Sequence, residues 1–157
     1  MTFPVAPISR LIKIISAAVL LLNAGFVVAS FVSHWALIPA ALLAAITLYC
    51  YLRAPLAYEA SPNGFTILLR VGSKRFGPIV RAGRVEKSTD RSIRLWGNGG
   101  LFAGTGIFWN GTWGIFRAYV TTSDRSNMVL LETQTGKVLV SPNSLDEFIE
   151  GLPKIIP

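Results

Sequence analysis

The sequence predicts a membrane-anchored α+β protein, in which a transmembrane hairpin of two helices precedes a β-rich domain closed by a C-terminal helix. Three observations predict this fold class. Residues 14–52 contain no Asp, Glu, Lys or Arg over 39 positions. From residue 55 onwards, short apolar and aromatic runs alternate with Gly, Pro, Asn and Ser, as is typical of strands and turns. An amphipathic segment of helical period lies near the end of the chain.

The uncharged stretch consists of two apolar runs, at about 14–33 and 35–52, which the polar step Ser33-His34 separates. Each run has the length of a helix that crosses about 30 Å of hydrocarbon. The aromatic residues Trp35, Tyr49 and Tyr51 lie near run ends, where amphipathic rings favour the headgroup zone. We therefore expect residues 11–53 to form a transmembrane helical hairpin.

Two other interpretations of the apolar runs stay open. A signal peptide would be cleaved near residues 28–30, although the first run continues through Phe31 and Val32 and a second run follows at once. A hairpin buried inside a soluble protein would also be apolar. Uncharged runs of about 18 residues usually lie in lipid, however, and two such runs in tandem favour the membrane.

The basic residues that flank the runs predict the orientation of the hairpin. Arg10 and Lys13 precede the first run and Arg53 follows the second, whereas the turn between the runs carries no fixed charge. The positive-inside rule therefore places both termini and the β-rich domain in the cytoplasm.

The rest of the chain divides into an N-terminal tail at residues 1–10 and a domain at residues 54–157. Pro4 and Pro7 discourage a helix in the tail, which we expect to be mobile or interfacial. In the domain, a Ser-Pro-Asn-Gly turn at 61–64 joins two candidate strands, and the clearest strands lie at 115–122, 128–133 and 137–140. The glycine-dense residues 97–114 form either a long loop or a bulged strand pair.

A C-terminal helix is predicted by four apolar residues that share one helical face, Leu145, Phe148, Ile149 and Leu152. Ser144 precedes this face as a candidate cap, and Asp146 and Glu147 lie in the first turn, where the helix dipole favours negative charge. We expect this helix to close a sheet of about six or seven strands.

Four segments of the domain resemble the bacterial PH-like domain family, small membrane proteins with two N-terminal transmembrane helices and a cytoplasmic pleckstrin-homology-like domain. The segments are RLWGNGG at 94–100, GIFRAYVT at 114–121, MVLLET at 128–133 and VLVSPNSLDEFIEGL at 138–152. The resemblance implies a PH-like barrel of about seven antiparallel strands in two nearly orthogonal sheets, capped by a C-terminal α-helix. It also implies the bacterial inner membrane as the location.

Eukaryotic PH domains that bind phosphoinositides use basic residues near their first hairpin. The corresponding turn here, at residues 61–64, contains no Lys or Arg. The resemblance therefore does not imply that this protein recognises inositol lipids specifically.

The positive charge of the chain is concentrated in residues 70–94. The chain carries 15 Lys and Arg against 8 Asp and Glu, for a formal charge of +7. A domain tethered at Arg53 stays near the anionic cytoplasmic leaflet, which attracts each nearby Lys or Arg by about 1 kcal/mol. The alternative is a merely solvated basic face. We expect lipid headgroups to contact eight residues: Arg70, Lys74, Arg75, Arg81, Arg84, Lys87, Arg91 and Arg94.

A second candidate surface is the aromatic part of the glycine-dense segment. Exposed clusters of Trp and Phe mark surfaces for partners or membranes, whereas the alternative is that these rings pack on the sheet as core. We expect a contact patch formed by Phe102, Phe108, Trp109 and Trp113.

The sequence offers little material for catalysis or for metal and cofactor binding. His34 and Cys50 are the single histidine and cysteine, so a Cys-His pair in the domain or a multi-histidine metal site is excluded within one chain. The carboxylates cluster only at 146–150, on a helix face that we expect to be solvated, and the glycines match no nucleotide-binding pattern. We expect no catalytic residue, cofactor, metal, small-molecule substrate or nucleic acid partner.

Two functional hypotheses follow from these observations. The first is a non-enzymatic, membrane-anchored PH-like module that docks on the anionic leaflet and contacts a protein partner or a second copy of itself. The alternative is a structural or assembly subunit of a larger membrane protein complex. Small residues and Asn23 in the apolar runs favour the alternative, because they allow helices to pack closely.

Overall fold

The computed structural model describes residues 1–85 and 92–153. Short 3-10 helices lie at His34–Ala36 and Arg125–Asn127. The strands and α-helices are, in chain order, β1 (Thr2–Pro4), α1 (Arg10–Ser30), α2 (Leu37–Leu52), β2 (Pro55–Ser61), β3 (Gly64–Leu69), β4 (Ser73–Phe76), β5 (Ile79–Arg84), β6 (Ile93–Gly99), β7 (Gly104–Asn110), β8 (Gly114–Val120), β9 (Val129–Thr133), β10 (Gly136–Val140) and α3 (Leu145–Glu150).

Helices α1 and α2 form an antiparallel hairpin. The Ser9 hydroxyl caps α1 by accepting a hydrogen bond from the N–H of Ile12 at 3.5 Å, and the 3-10 turn at 34–36 reverses the chain. By length and composition, the segments Arg10–Ser30 and His34–Leu52 are each long and apolar enough to cross a membrane. The prediction of two apolar N-terminal helices is confirmed.

The domain after the hairpin contains two sheets. The first has the strand order β1-β2-β3-β4, and all of its pairs are antiparallel. The second has the order β5-β9-β10-β8-β7-β6. The predicted turn at 61–64 joins β2 to β3, and the glycine-dense residues form the bulged strand pair β6 and β7 rather than a long loop. The register of that pair shifts between Arg94 and Trp96.

One strand pair differs from the antiparallel barrel that the resemblance implied. Strand β10 runs parallel to β8, with Lys137 opposite Phe116 and Val140 opposite Tyr119. The β9–β10 hairpin inserts so that β10, rather than β9, lies beside β8. Because two chain reversals separate β8 from β10, these neighbours point the same way. The described residues also form nine strands after the helices, where we expected about seven.

The N-terminal residues differ from the mobile or interfacial tail that we expected. Thr2 lies opposite Glu59 and Pro4 opposite Ala57, and the N-terminal ammonium group donates a hydrogen bond to the carbonyl of Ala60 at 2.9 Å. Strand β1 is an edge of its sheet, where a proline without an N–H is tolerated. The prolines correctly exclude a helix, but the partner strand lies more than fifty residues away and local sequence does not reveal it.

Apolar side chains from both sheets meet in one core, which α3 closes. Phe148 of α3 is fully buried, with its ring centroid 5.0 Å from that of Phe3 and 6.3 Å from that of Phe65. The other three residues of the predicted helical face pack against the same core: Leu145, Ile149 and Leu152. The predicted C-terminal amphipathic helix is therefore confirmed.

Tyr58 ties the two sheets together through its hydroxyl group. This side chain is fully buried in β2, donates a hydrogen bond to the carbonyl of Tyr119 at 2.7 Å and accepts one from the N–H of Ser141 at 3.2 Å. Burial raises the pKa of Tyr58 to about 12, and the hydrogen bonds from Ser141 offset a smaller part of this rise.

We expect Tyr58→Phe to destabilise the fold at neutral pH by about 1–3 kcal/mol, because two buried polar groups lose their partner.

Below pH 10 the Tyr58 phenol is neutral in both the folded and the unfolded state. Between about pH 10 and 12 the unfolded chain loses the phenol proton and the folded chain keeps it. Wild-type stability therefore falls by about 1.4 kcal/mol per pH unit in this window. The denaturant midpoints of wild type and Tyr58→Phe should therefore converge as the pH rises from 10 to 12. A difference between the two midpoints that stays constant over this range would contradict the raised pKa of Tyr58.

Candidate functional site

An open cleft of about 840 Å³ lies where α2 meets the two sheets. One wall is the C-terminal half of α2, between Ile46 and Arg53, and the sheets supply the others. Leu69 and Tyr119 border both this cleft and the hydrophobic core. The cleft therefore lies directly beside the hydrophobic core, between the same two sheets.

The lining of the cleft combines apolar and cationic side chains. No Asp or Glu is found among the described residues of the lining. Two ion pairs of the domain, Arg84–Asp146 and Lys137–Glu132, involve other cations. The apolar side chains are Ile46, Leu69, Leu95, Trp96, Leu101 and Ile107, and the cations are Arg53, Lys74, Arg94 and Arg117. Within the part of the chain that the structure describes, the lining thus contains four cations and no carboxylate to neutralise them.

Strand register places Lys74 and Arg117 on the facing sides of the two sheets. Lys74 lies opposite Ile67, which is fully buried in the core, and directly opposed residues in a sheet share a face. Arg117 is two residues before Tyr119 in β8 and therefore lies on the same face of its strand. Its guanidinium carbon is 5.9 Å from the ring centroid of Phe76.

Arg53 and Arg117 contribute to the cleft from different elements, the end of α2 and strand β8. The guanidinium carbon of Arg53 lies 5.6 Å from the ring centroid of Tyr49, one helical turn earlier in α2. Burial raises the pKa of Tyr119 above its ordinary value, and the positive charges of Arg117 and Arg53 each offset part of this rise.

Arg94 extends along the edge strand β6 toward Gly99. A Cβ atom built on Gly99 would overlap the Nη1 atom of Arg94, so this position of the guanidinium group requires glycine at residue 99. Both residues belong to the cleft lining. A side chain at residue 99 would thus displace the Arg94 guanidinium group from this position.

The turn between β6 and β7 is organised by Asn98. Its side-chain oxygen accepts hydrogen bonds from the N–H groups of Gly100 and Leu101 at 3.2 and 2.8 Å. Its amide group donates one to the carbonyl of Ala103 at 2.8 Å. The amide donates another to the carbonyl of Leu101. One side chain therefore satisfies four backbone groups of the turn that forms the rim of the cleft.

The same turn is fastened to the helical hairpin through Phe102. Its N–H donates a hydrogen bond to the hydroxyl of Ser16 in α1 at 2.9 Å, and its ring contacts that of Tyr51 in α2, with centroids 5.3 Å apart. Phe102 has a φ of 63°, which is uncommon for a residue with a side chain. Contacts to both helices hold it in this conformation.

The predicted basic residues divide into several groups in the structure. Lys74 and Arg94 line the cleft, and Arg70 lies beside the end of α2, where its Nη1 atom donates a hydrogen bond to the Tyr51 hydroxyl at 3.2 Å. Arg84 pairs with Asp146. Two further residues are exposed outside the cleft, Arg75 and Arg81, and two lie outside the described residues, Lys87 and Arg91.

The four aromatic residues of the predicted contact patch do not lie together. Phe102 faces the hairpin, whereas Phe108 and Trp113 pack on Phe116, with ring centroids 5.8 and 5.4 Å away. Trp109 remains exposed over 42% of its surface. It lies in a cross-strand row between Ile93 and Ile115, which are also exposed.

Two cations of the cleft, Arg53 and Arg117, are absent from the predicted lipid-contacting set. The sequence could have indicated Arg117, because it is the one charged residue in the otherwise apolar strand β8. Arg53 was recognised as the end of the second apolar run, but its proximity to β8 depends on how the helix packs on the domain.

Among the described residues, no group of three or more His, Cys, Asp or Glu side chains is arranged to hold a metal ion. His34 lies in the 3-10 turn at the far end of the hairpin, and Cys50 lies in the α2 wall of the cleft.

Comparison with known proteins identifies the family of the domain. The family described as bacterial PH domain matches residues 57–155 of the chain. No curated protein and no solved structure matches it. The two-sheet domain closed by a C-terminal helix is thus a PH domain of the bacterial type, and the chain belongs to the bacterial PH domain family.

We expect Asn98→Ala to lower the unfolding midpoint temperature by about 5 °C or more, because four backbone groups at the rim of the cleft lose their partner. Asn143→Ala is the matched control, since Asn143 is exposed and its N–H bond to the Pro4 carbonyl does not involve the side chain. Thermal unfolding in mild detergent, followed by tryptophan fluorescence, compares the two variants. Equal midpoints for both would contradict the role of Asn98.

Proposed function

We propose that this protein is a non-enzymatic, membrane-anchored PH-like module of the bacterial inner membrane. In this proposal the hairpin α1–α2 crosses the bilayer, both termini and the domain are cytoplasmic, and the domain docks on the anionic leaflet and contacts protein partners. Membership of a family of generally non-catalytic modules supports the absence of enzymatic activity.

The exposed surface of the hairpin supports insertion into lipid. Apolar side chains around both helices remain uncovered by the domain, including Leu21 at 74%, Val28 at 65% and Leu48 at 57% of their surface. Only 11% of the α1 span and 17% of the α2 span are buried. A core helix of a soluble protein would be largely covered, because exposing this much apolar surface to water is unfavourable.

The contacts of the N-terminal segment favour a retained anchor over a cleaved signal peptide. Cleavage near residues 28–30 would remove β1 from its sheet together with most of α1. It would also remove the Ser16 hydroxyl that accepts the hydrogen bond from Phe102. Segments that are discarded after export have no reason to form such contacts with the mature domain.

The basic residues around the domain-side ends of the helices are the observation that carries the proposal. Arg10 and Lys13 are exposed at the start of α1, and Arg53 follows α2. Arg70 lies beside them, with its guanidinium carbon 4.3 Å from the ring centroid of Tyr51. Each would gain about 1 kcal/mol from an anionic leaflet. Two apolar helices whose domain-side ends carry a group of cations match the change from hydrocarbon to anionic headgroups in the inner leaflet.

We expect the full-length protein in nanodiscs to be more stable to heat with anionic lipid than with zwitterionic lipid alone, because lipid binding to the native state stabilises it. The difference should shrink at about 1 M salt, where charges are strongly screened. Lys13→Gln/Arg70→Gln should lose much of the difference. Arg75→Gln/Arg81→Gln removes the same charge from strands away from the helix ends and should retain it. Equal midpoints in both lipids for the wild type at low salt would contradict docking.

A second candidate function, an assembly subunit of a larger membrane complex, is favoured by one apolar row. Ile93, Trp109 and Ile115 are aligned across β6, β7 and β8 and exposed over 56%, 42% and 64% of their surface. Strand β6 is an edge of its sheet, where further strands or partners can be added. Exposed apolar rows of this kind are typical of contact surfaces.

For this candidate, we expect the wild type to migrate in mild detergent as an assembly larger than one chain. Trp109→Ser should shift it toward monomeric mass, because the central member of the row is lost. Trp35→Ser is the control, since Trp35 is exposed in the hairpin turn and far from the row. Light scattering coupled to gel filtration measures the mass, and a strictly monomeric wild type would exclude the assembly role.

A further inference from the structure

We propose that the cleft binds one anionic phospholipid from the surrounding leaflet. The phosphate group lies among Arg53, Lys74, Arg94 and Arg117, and an acyl chain runs beside Ile46. This inference rests on the proposed membrane anchoring, and it adds a defined ligand site to the general attraction between the leaflet and the helix ends.

The first argument is charge. Arg53, Lys74, Arg94 and Arg117 line one cleft, and the described residues of that lining include no carboxylate. Lys74, Arg94 and Arg117 are exposed and Arg53 is partly buried, and like charges that line one cleft repel each other unless an anion joins them. Arg53 contacts the ring of Tyr49 and Arg117 that of Phe76, with guanidinium carbons 5.6 and 5.9 Å from the ring centroids, so both side chains are held at the cleft. An anionic group in the cleft removes this repulsion.

The second argument is the order of polar and apolar groups along α2. Ile46 lies seven residues before Arg53, which corresponds to about 10 Å along a helix. Because α2 runs from the far turn toward the domain, Ile46 is the deeper of the two in a membrane. Along the α2 wall, Arg53 therefore lies at the level of headgroups and Ile46 at the level of acyl chains, which is the order of these groups in a phospholipid of the leaflet.

The third argument is the geometry of the ligand groups. Three of the four cations are arginines, whose planar guanidinium groups can form two parallel hydrogen bonds with a phosphate. Arg53 lies at the end of α2, Arg117 on β8 and Arg94 on the edge strand β6. The volume of about 840 Å³ lies within the range of about 300–1,000 Å³ that ligand clefts usually have.

The apolar rim favours a lipid over a small soluble anion. Leu95 and Trp96 line the cleft with 53% and 77% of their surface exposed. A free phosphate would leave these side chains in water, whereas an amphiphile covers them with hydrocarbon. The phosphate chemistry is common to both ligands, and the lipid alone matches both parts of the lining.

The test uses the full-length protein purified in mild detergent. Native mass spectrometry should show about one phospholipid bound per chain, and phosphatidylglycerol should bind more tightly than phosphatidylcholine when either is titrated into the detergent. Arg94→Gln/Arg117→Gln should weaken phosphatidylglycerol binding by at least about tenfold, because two charge-assisted contacts are lost. Arg81→Gln, which lies outside the cleft, should bind as the wild type does.

A second variant separates this inference from leaflet docking. Gly99→Ala changes no charge but displaces the Arg94 guanidinium, and it should weaken phosphatidylglycerol binding about two- to tenfold. Gly83→Ala is the matched control, because a Cβ atom at Gly83 would meet nothing within 4 Å. Both variants should keep the salt-sensitive stabilisation in anionic nanodiscs. If the wild type showed no salt-sensitive stabilisation in anionic nanodiscs, that result would count against the proposed docking and not against the lipid site.

Two outcomes would overturn the inference. The first is equal phosphatidylglycerol binding by wild type, Arg94→Gln/Arg117→Gln and Gly99→Ala, each checked for folding by its unfolding midpoint. If the double variant does not fold, Lys74→Gln replaces it, since Lys74 is an exposed residue of β4. The second is saturable binding of inorganic phosphate or glycerol phosphate that depends on the same arginines, without any binding of phosphatidylglycerol. That result would assign the cleft to a soluble anion.

Discussion

The junction between the helical hairpin and the domain is the constraint on which the rest of the structure depends. Only Arg53 and Ala54 separate α2 from β2, and the turn after β3 bonds back to them. The N–H of Arg70 donates to the carbonyl of Ala54, and that of Val71 to the carbonyl of Leu52, both at 3.0 Å. The end of α2 is thereby built into the four-stranded sheet, and the helix has little freedom to turn relative to the domain.

The start of α1 is fixed to the other sheet in the same manner. The N–H of Ala6 donates to the carbonyl of Ser141 at 2.8 Å, and the N–H of Ser9 donates to that of Thr121 at 3.1 Å. The Thr121 hydroxyl in turn donates to the carbonyl of Ala6 at 2.6 Å. With one helix joined to each sheet, the hairpin holds the two sheets in relation to each other, and the open space between them becomes a cleft with a helix as its wall.

The sequence predicted those features that depend on local pattern. Absence of charge marked the two helices, and the period of Leu145, Phe148, Ile149 and Leu152 marked the helix that closes the core. What could not be predicted depends on contacts between distant residues: the pairing of residues 2–4 with β2, and the parallel pairing of β8 with β10. The cleft belongs to this second group. Charge alone predicts Lys74 and Arg94 as candidate contacts, but no local pattern shows that Arg53 and Arg117 line the same cleft.

These contacts also bear on which part of the chain acts as a unit. The family match covers residues 57–155, which excludes β1, both helices and Arg53. Without these segments the four-stranded sheet loses an edge strand, Phe102 loses its partners Ser16 and Tyr51, and the cleft loses one wall and one of its four cations. A fragment limited to the family boundaries would therefore have an incomplete cleft, without its helical wall. The helical hairpin is thus part of the proposed binding site as well as the proposed membrane anchor.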